Sequence, residues 1–353
     1  MRTRGTRPAG ILCLWAAVAA ACLGAVQSAD ARPKPVPFQR GMNIGDWGPS
    51  AYSAGPTART LRRLKNRYYI DTVTFTVQWQ QRHVSSNLMR PGFGTAPAAN
   101  LERAIRIARR LGLKVVLRPY VDPRSGGWRG LLQPTNVDRW FLNYGKFIVK
   151  YAKLAQAAKA NGFVIGTELT TMAKYEAQWR KLIRVVRTHF KGFVTYQANW
   201  GTEVGLVRWW DAVDAISIAA YYPLASTYPY TVDQLVAGWY GTDPQSIGWY
   251  TQIEAAHNEF HRPVLFSEIG YRTVEGSAIR PWDIEYVAPF SQQAQIQAYE
   301  ASFLVWYRVP WFRGFHWWYV PPRSLAGFAG ADHRPTRATL TQIGTWYALR
   351  PRR

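Results

Sequence analysis

The sequence feature that most constrains the fold is a repeated alternation of short apolar segments with longer amphipathic segments, from about residue 38 to residue 349. The short segments have the length and composition of buried strands, and the longer ones place apolar residues at helical spacing. Strands that alternate with helices predict parallel βαβ units. The predicted strands span residues 38–44, 72–79, 114–120, 163–168, 193–198, 215–222, 264–268 and 314–319. The predicted helices span residues 57–67, 101–111, 140–154, 179–186, 204–210, 252–260, 292–307 and 336–349.

Eight such units without a linker between them predict a single-domain α/β fold, a (β/α)8 TIM barrel, over residues 32–353. A doubly wound open sheet is the alternative. It would require a glycine-rich phosphate-binding turn after the first strand, and the sequence has none there. The second strand fits a barrel imperfectly, because threonine occupies every second position from 72 to 76 and barrel strands are usually apolar on both faces.

The first 31 residues have the pattern of a secretory signal peptide. Three arginines precede an apolar stretch over residues 11–23, and Ala29-Asp30-Ala31 fits the rule for cleavage after small residues. We therefore expect a secreted protein, with a lipoprotein anchored through Cys22 as the alternative. The two cysteines, Cys13 and Cys22, lie in this segment. A chain that begins at Arg32 would therefore have no disulfide, no cysteine nucleophile and no cysteine zinc ligand.

The chain is strongly basic, with a formal net charge of +23. Removal of residues 1–31 takes away three arginines and one aspartate, which leaves +21. The basic residues are dispersed over predicted helices, which is typical of solvated helix faces. Contact of these faces with an anionic cell-wall polymer or an acidic glycan is the alternative interpretation. No nucleic-acid recognition motif accompanies the charge, so we expect no nucleic-acid partner, and we expect a monomer.

Two glutamates stand at the ends of apolar strands. Glu168 ends the fourth predicted strand and Glu268 ends the seventh. In a barrel the carboxyl ends of the strands form the active face, where partial burial raises the pKa of an acid enough to keep a proton for donation. A proton donor and a second carboxylate are what glycoside hydrolysis requires. The alternative is that the two glutamates are unrelated ends of strands.

The residues around these glutamates resemble glycoside hydrolase family 113, a family of retaining β-mannanases with a (β/α)8 barrel. The specific motifs are Gly166–Leu169 (GTEL) and Phe266–Arg272 (FSEIGYR). Further matching segments are residues 41–45, 117–122, 200–222, 281–282 and 292–302. The resemblance implies an endo-β-1,4-mannanase with Glu168 as acid/base and Glu268 as nucleophile. Most related families have asparagine where this chain has Thr167, and family 113 has threonine; Arg118 stands where lysine is more usual.

The other strand ends supply polar and aromatic residues that would line a sugar-binding pocket. Tryptophan outnumbers phenylalanine, 17 to 15, and indole planes pack well against the apolar faces of sugar rings. A tyrosine at the end of the sixth strand would hydrogen-bond the nucleophile and hold it ionised. For each of these polar and aromatic residues, the alternative is a purely structural place in the core. Trp128 and Trp282, in loops, would line outer subsites or anchor those loops. The candidate substrate-binding residues are Asn43, Trp79, Arg118, Asp122, Asn199, Tyr221, Tyr222 and Trp317.

No pattern in the sequence indicates a metal or a cofactor. The six histidines show no metal-ligand spacing, and we expect a structural hydrogen bond rather than catalysis from His316. There is no serine-hydrolase elbow, phosphate loop or dinucleotide fingerprint. We predict a retaining glycoside hydrolase that needs no cofactor and acts on a polysaccharide or oligosaccharide. Another retaining β-glycosidase, on glucan or an amino-sugar polymer, exo action, and a non-catalytic cell-wall glycan-binding protein remain alternatives.

Overall fold

The computed structural model describes residues 33–241, 248–323 and 333–349. The predicted signal peptide over residues 1–31, including Cys22, lies outside the described residues. Within the described part of the chain, no helix is both long enough and apolar enough to cross a membrane.

Eight parallel strands close into a barrel within these residues, which confirms the predicted fold. β1 pairs with β2 on one side and with β9 on the other, so the sheet has no free edge between them. The two-residue β3 pairs antiparallel with the end of β2 and lies outside the barrel proper. The sheet order is β1-β9-β8-β7-β6-β5-β4-β2-β3. The strands are β1 (Gln39–Ile44), β2 (Thr72–Gln81), β3 (Met89–Arg90), β4 (Lys114–Pro123), β5 (Gly162–Thr167), β6 (Phe193–Asn199), β7 (Ala215–Ala219), β8 (Val264–Ile269) and β9 (Phe312–Val320).

Helices follow the barrel strands and bury their apolar faces against them. The α-helices are α1 (Ala54–Tyr68), α2 (Ala98–Arg110), α3 (Val137–Ala157), α4 (Glu176–His189), α5 (Glu203–Leu206), α6 (Val232–Tyr240), α7 (Trp249–Phe260), α8 (Gln292–Trp306) and α9 (Arg337–Ala348). Short 3-10 turns lie at Arg129–Leu131, Thr170–Met172 and Trp210–Ala212.

Three helices differ from the sequence prediction. α2 begins at Ala98 rather than after Asn100, because the Asn100 side chain donates to the carbonyl of Ala51 instead of capping the helix. α5 has four residues, which makes it shorter than predicted. α6 was not predicted; its N-terminus is fixed by a capping box between Thr231 and Gln234.

The threonines of β2 face the barrel interior, which explains the imperfect strand pattern. Thr74 hydrogen-bonds Nδ1 of His316, and Nε2 of His316 lies 2.8 Å from the side-chain oxygen of Gln39. The His316 ring lies so close to Gly41 that a Cβ there would be 2.0 Å from it. A polar layer therefore fills this part of the barrel, and His316 makes the structural hydrogen bonds that we expected of it.

Candidate active site

Glu268, on β8, lies at the centre of a hydrogen-bond network. Its Oε1 accepts a 2.7 Å hydrogen bond from the Tyr221 phenol, just after β7. Its Oε2 accepts from Arg118 on β4 and, at 3.2 Å, from Gln197 on β6. Burial opposes ionisation of Glu268, but the charge of Arg118 and the hydrogen bond from Tyr221 outweigh burial and hold its pKa below the usual range. Glu268 is therefore a carboxylate with both oxygens occupied by donors.

Arg118 is fixed from several directions. Its side chain is only 2% exposed and donates to Gln197 as well as to Glu268. Its guanidinium lies 5.1 Å from the centroid of the Trp318 ring. Removal of one partner of a buried ion pair strongly destabilises a protein, because the other charge is left buried without a counter-charge. Arg118 and Glu268 therefore depend on each other for placement.

Glu168 follows β5 directly and has an unusual backbone conformation. Its φ is +51°, in the left-handed region that residues other than glycine seldom adopt. The backbone N–H of Glu168 donates to the carbonyl of Gln197 at 2.8 Å, which holds this conformation. Backbone strain of this kind is concentrated at functional sites.

The Glu168 carboxyl group contacts residues from the loop after β4. Its Oε2 accepts a 2.9 Å hydrogen bond from Arg129, and the nearby Trp128 side chain also favours the ionised form of the carboxyl group. Burial raises the pKa of Glu168 and outweighs the opposing charge of Arg129. The two buried glutamates thus have pKa values displaced in opposite directions, which is how acid and base roles are assigned to a carboxyl pair.

Arg129 is itself held by a second carboxylate. Its Nε donates to Asp122 at 2.6 Å, and the other oxygen of Asp122 accepts from Gln78 at 2.6 Å. The guanidinium lies 4.7 Å from the centroid of the Tyr120 ring. Asp122 therefore reaches Glu168 through Arg129.

A third buried acid, Glu203, fixes the segment that follows Glu168. It accepts hydrogen bonds from the Tyr196 phenol, from Thr170 at 2.6 Å and from the backbone N–H of Asn199 at 2.8 Å. The Tyr196 oxygen also accepts from the backbone N–H of Leu169 at 2.9 Å. Burial raises the pKa of Glu203 to about 7. Glu203 therefore ties the loop after β5 to the loop after β6.

Aromatic side chains surround this centre. The indole of Trp47 donates to the Tyr120 hydroxyl at 2.6 Å and packs edge-on against Trp318. Trp282, in the loop after β8, stacks on Trp200 with ring centroids 4.3 Å apart. Of these rings, Trp47 and Trp282 are 37% and 41% exposed and can offer apolar faces to a ligand.

The structure brings together several residues that the sequence predicted. Arg118, Tyr221 and Glu268 are in direct contact, and Asp122 reaches Glu168 through Arg129. Asn199 lies two residues beyond Gln197, on the same face of β6, and is half-buried.

Four predicted residues lie away from the centre, and their assignment is corrected. Trp79 packs on α3, with its indole donating to Tyr151 at 3.0 Å, and Trp317 stacks on Tyr299 of α8 with centroids 4.0 Å apart. Tyr222 packs among Trp200, Trp239 and Trp249. Asn43 is fully buried and donates to the carbonyls of Ser267 and His316, so it joins β1 to β8 and β9 rather than facing a substrate.

Comparison of the sequence with models of known protein families identifies the family. The model of glycoside hydrolase family 113 matches residues 46–327. The chain belongs to glycoside hydrolase family 113. No curated protein sequence matches it.

Solved structures agree with the family. A GH113 β-1,4-mannanase determined as a complex is 25% identical, with a TM-score of 0.78 over 89% of this chain and 100% of that one. The GH113 β-mannanase AaManA from Alicyclobacillus acidocaldarius, in complex with ManMIm, is 27% identical, with a TM-score of 0.76 over 88% of this chain and 97% of that one. A β-glucuronidase from Faecalibacterium prausnitzii, 15% identical, has a TM-score of 0.58 over 89% of this chain and 49% of its own, and shows a similar fold. This family 113 protein is a glycoside hydrolase.

Several residues of this family 113 site were missed from the sequence, among them Gln197, Trp318, Arg129, Glu203 and Trp47. Gln197 is the middle member of a polar alternation, Thr195, Gln197 and Asn199, and that alternation was an available signal. Trp318 is adjacent to the predicted Trp317. Arg129 lies in a loop without periodicity and had no signal. In the part of the chain that the structure describes, no group of three or more His, Cys, Asp or Glu residues is arranged to hold a metal ion.

Proposed function

We propose that the protein is a retaining endo-β-1,4-mannanase in which Glu268 is the nucleophile and Glu168 is the acid/base. The observation that carries the proposal is the contrast between the two carboxyl groups. Arg118 and Tyr221 favour the ionised form of Glu268, whereas burial favours the protonated form of Glu168. A retaining glycosidase needs this division of protonation states in the free enzyme.

The chemistry follows in two balanced steps. First, a carboxylate oxygen of Glu268 forms a bond to the anomeric carbon as the bond to the leaving oxygen breaks, and the proton of Glu168 passes to that oxygen. Second, the Glu168 carboxylate removes a proton from water. The water oxygen then bonds to the anomeric carbon and releases Glu268.

Arg129 suits the second role of Glu168. After the first step Glu168 is a carboxylate, and the guanidinium 2.9 Å from its Oε2 stabilises that negative charge. Burial raises the pKa of Glu168 and favours the acid form, whereas the charge of Arg129 lowers it and favours the base form. The two opposing effects suit a group that must first donate a proton and then accept one.

The mannan specificity rests on relatives. Two similar solved structures are GH113 β-mannanases, and they are 25% and 27% identical to this chain. The residues of the site support the proposed reaction type, whereas the proposed stereochemistry of the substrate hydroxyls rests on this likeness.

The substrate is tested by sugar release from oligomers of mannan, glucan, xylan and chitosan, with residues 32–353 as the enzyme. We expect manno-oligosaccharides as products, and loss of release in Glu268→Gln. Glu102→Gln is the matched control, because Glu102 lies in an exposed ion pair with Arg106 on α2. Release from another polymer would replace the specificity, and binding without release from any polymer would favour a glycan-binding protein.

The two roles are tested by azide rescue on a mannoside with a good leaving group. In Glu268→Ala, azide should attack the anomeric carbon directly and give the α-mannosyl azide. In Glu168→Ala, azide should attack the covalent intermediate and give the β-mannosyl azide. The same azide product from both variants would contradict the assignment.

We also propose that the chain is exported and released by cleavage near Ala31. The support is the arginine and apolar pattern of residues 1–31. Fractionation of producing cells, followed by N-terminal sequencing, tests this. Membrane retention that Cys22→Ala abolishes would show a lipoprotein instead.

A further inference from the structure

One face of α1 consists of arginine side chains. Arg59, Arg62, Arg63 and Arg67 are all exposed, and Asn66 lies among them. Their spacing of three or four residues places them on the same side of the helix. These five residues, which we call the arginine face, line a shallow groove that is widely open to solvent.

Among the described residues, no acidic side chain pairs with this face. The sequence of α1 contains no Asp or Glu, and in the described residues none of the four arginines forms an ion pair. α2, α3 and α4 each contain at least one acidic residue, and two of these acids pair with arginine: Glu102 with Arg106 on α2, and Glu176 with Arg180 on α4. The arginine face therefore differs from an ordinary solvated helix surface.

The arrangement is unfavourable for α1 itself. Arg59 and Arg63, and likewise Arg63 and Arg67, are like charges one turn apart, and each such pair destabilises a helix by about 0.2–0.5 kcal/mol. A counter-charge supplied from outside the chain would reverse the sign of these interactions. The groove is the place where a ligand with repeated negative charges would lie.

We propose that the arginine face binds an acidic linear polysaccharide that carries a carboxylate or a phosphate on successive units. Guanidinium groups form bidentate hydrogen bonds with both kinds of group. Arginines on successive helical turns are about 5.4 Å apart along the axis, a distance comparable to the length of one sugar unit in an extended chain. Within α1 no exposed aromatic side chain lies on which a nucleic-acid base would stack, and the exposed Tyr69 follows the end of the helix.

The arginine face is separate from the catalytic residues. α1 covers the outside of the barrel, whereas Glu168 and Glu268 lie at the carboxyl ends of β5 and β8. Binding at α1 would hold the enzyme on an acidic polymer without occupying the site of hydrolysis. This inference does not depend on the proposed mannanase activity.

The test compares two triple variants that remove the same charge. Arg59→Gln, Arg63→Gln and Arg67→Gln together empty the arginine face. Arg139→Gln, Arg184→Gln and Arg308→Gln together remove three exposed arginines from elsewhere on the surface. Dissociation constants are measured for polygalacturonate and for a phosphomannan, with dextran as the neutral polymer, at about 0.05 M and 0.5 M salt.

We expect the α1 variant to bind at least one of the two acidic polymers about tenfold more weakly, and the control variant to change by less than about twofold. The preferred polymer identifies the carboxylate or the phosphate as the recognised group. Hydrolysis of short neutral oligosaccharides should stay unchanged in both variants, and the melting temperature of the α1 variant should not fall, because like-charge pairs have been removed.

Three results would overturn the proposal. Equally weakened binding in both triple variants would mean that charge dispersed over the surface holds the polymer. The other two are no binding of either acidic polymer by the unmodified chain, and binding of a DNA duplex as tightly as the polysaccharides. A further variant with lysine at positions 59, 63 and 67 keeps the charge but loses the bidentate geometry. It should bind more weakly than the parent and more tightly than the glutamine variant, which guards against loss through misfolding.

Discussion

The Tyr221 phenol donates a 2.7 Å hydrogen bond to Oε1 of Glu268, on the side of the carboxylate that Arg118 and Gln197 leave free. Burial raises the pKa of Tyr221 far above its usual range, so the phenol keeps its proton and remains a donor. Tyr221 therefore stabilises the negative charge of Glu268 and fixes the orientation of the carboxylate.

Replacement of Tyr221 by phenylalanine tests this role. A hydrogen bond to a charged group contributes about 1.5–3 kcal/mol, so we expect kcat/KM to fall about 10- to 100-fold. The pKa of Glu268 should rise, which moves the acidic limb of the pH profile to higher pH. An unchanged acidic limb would mean that the phenol does not hold Glu268 ionised. Tyr222→Phe is the neighbouring control, because Tyr222 packs away from Glu268.

Arg129 should control the basic limb of the same profile. Its charge lowers the pKa of Glu168, so Arg129→Met should raise that pKa and move the basic limb to higher pH. Arg129→Lys keeps the charge but cannot bridge Asp122 and Glu168 with one planar group. We expect the lysine variant to keep the position of the limb and to lose about tenfold in kcat. A basic limb that does not move in Arg129→Met would contradict the electrostatic role.

The fold, and the position of Glu168 and Glu268 at the ends of strands, were predictable because they depend on patterns that run along the chain. Strand and helix periodicity gave the barrel, and an acid at the end of an apolar strand gave Glu168 and Glu268. Which of two adjacent aromatic residues faces the barrel was not predictable. Strands that are buried on both faces lack the alternation that would distinguish Trp317 from Trp318.

Substitution of Trp318 should affect activity, whereas substitution of Trp317 should affect stability. Trp318 lies 5.1 Å from the Arg118 guanidinium, so Trp318→Ala should lower kcat/KM by about tenfold while the melting temperature changes little. Trp317 is fully buried against Tyr299, so Trp317→Ala should lower the free energy of unfolding by about 3–5 kcal/mol. Steady-state kinetics and chemical denaturation measure the two effects. The reverse pattern would show that Trp317 faces the site.

Gly41 should tolerate no side chain. A Cβ at this position would lie 2.0 Å from the His316 ring, which is held by Thr74 and Gln39. Burial lowers the pKa of His316 to about 3, so the displaced ring would remain neutral and would lose hydrogen bonds rather than an ion pair. We expect Gly41→Ala to destabilise the protein by about 1–3 kcal/mol in urea denaturation. A variant as stable as the parent would mean that the ring moves without cost.

Glu203 should make stability fall as the pH rises. Its pKa is about 7 in the folded protein, above the value of about 4.5 for an exposed glutamate, so the folded state binds one more proton than the unfolded state between these values. In this window Glu203 should reduce the free energy of unfolding by about 1.4 kcal/mol per pH unit. The isosteric Glu203→Gln cannot ionise. The free energy of unfolding of both proteins is measured by denaturation from pH 4 to pH 8. The free energy of the variant, relative to that of the parent, should increase between about pH 4.5 and pH 7 and stay constant above pH 7. Parallel curves over that range would show that Glu203 ionises in the folded protein as easily as in water, which would mean that the hydrogen bonds from Tyr196, Thr170 and Asn199 fully offset its burial.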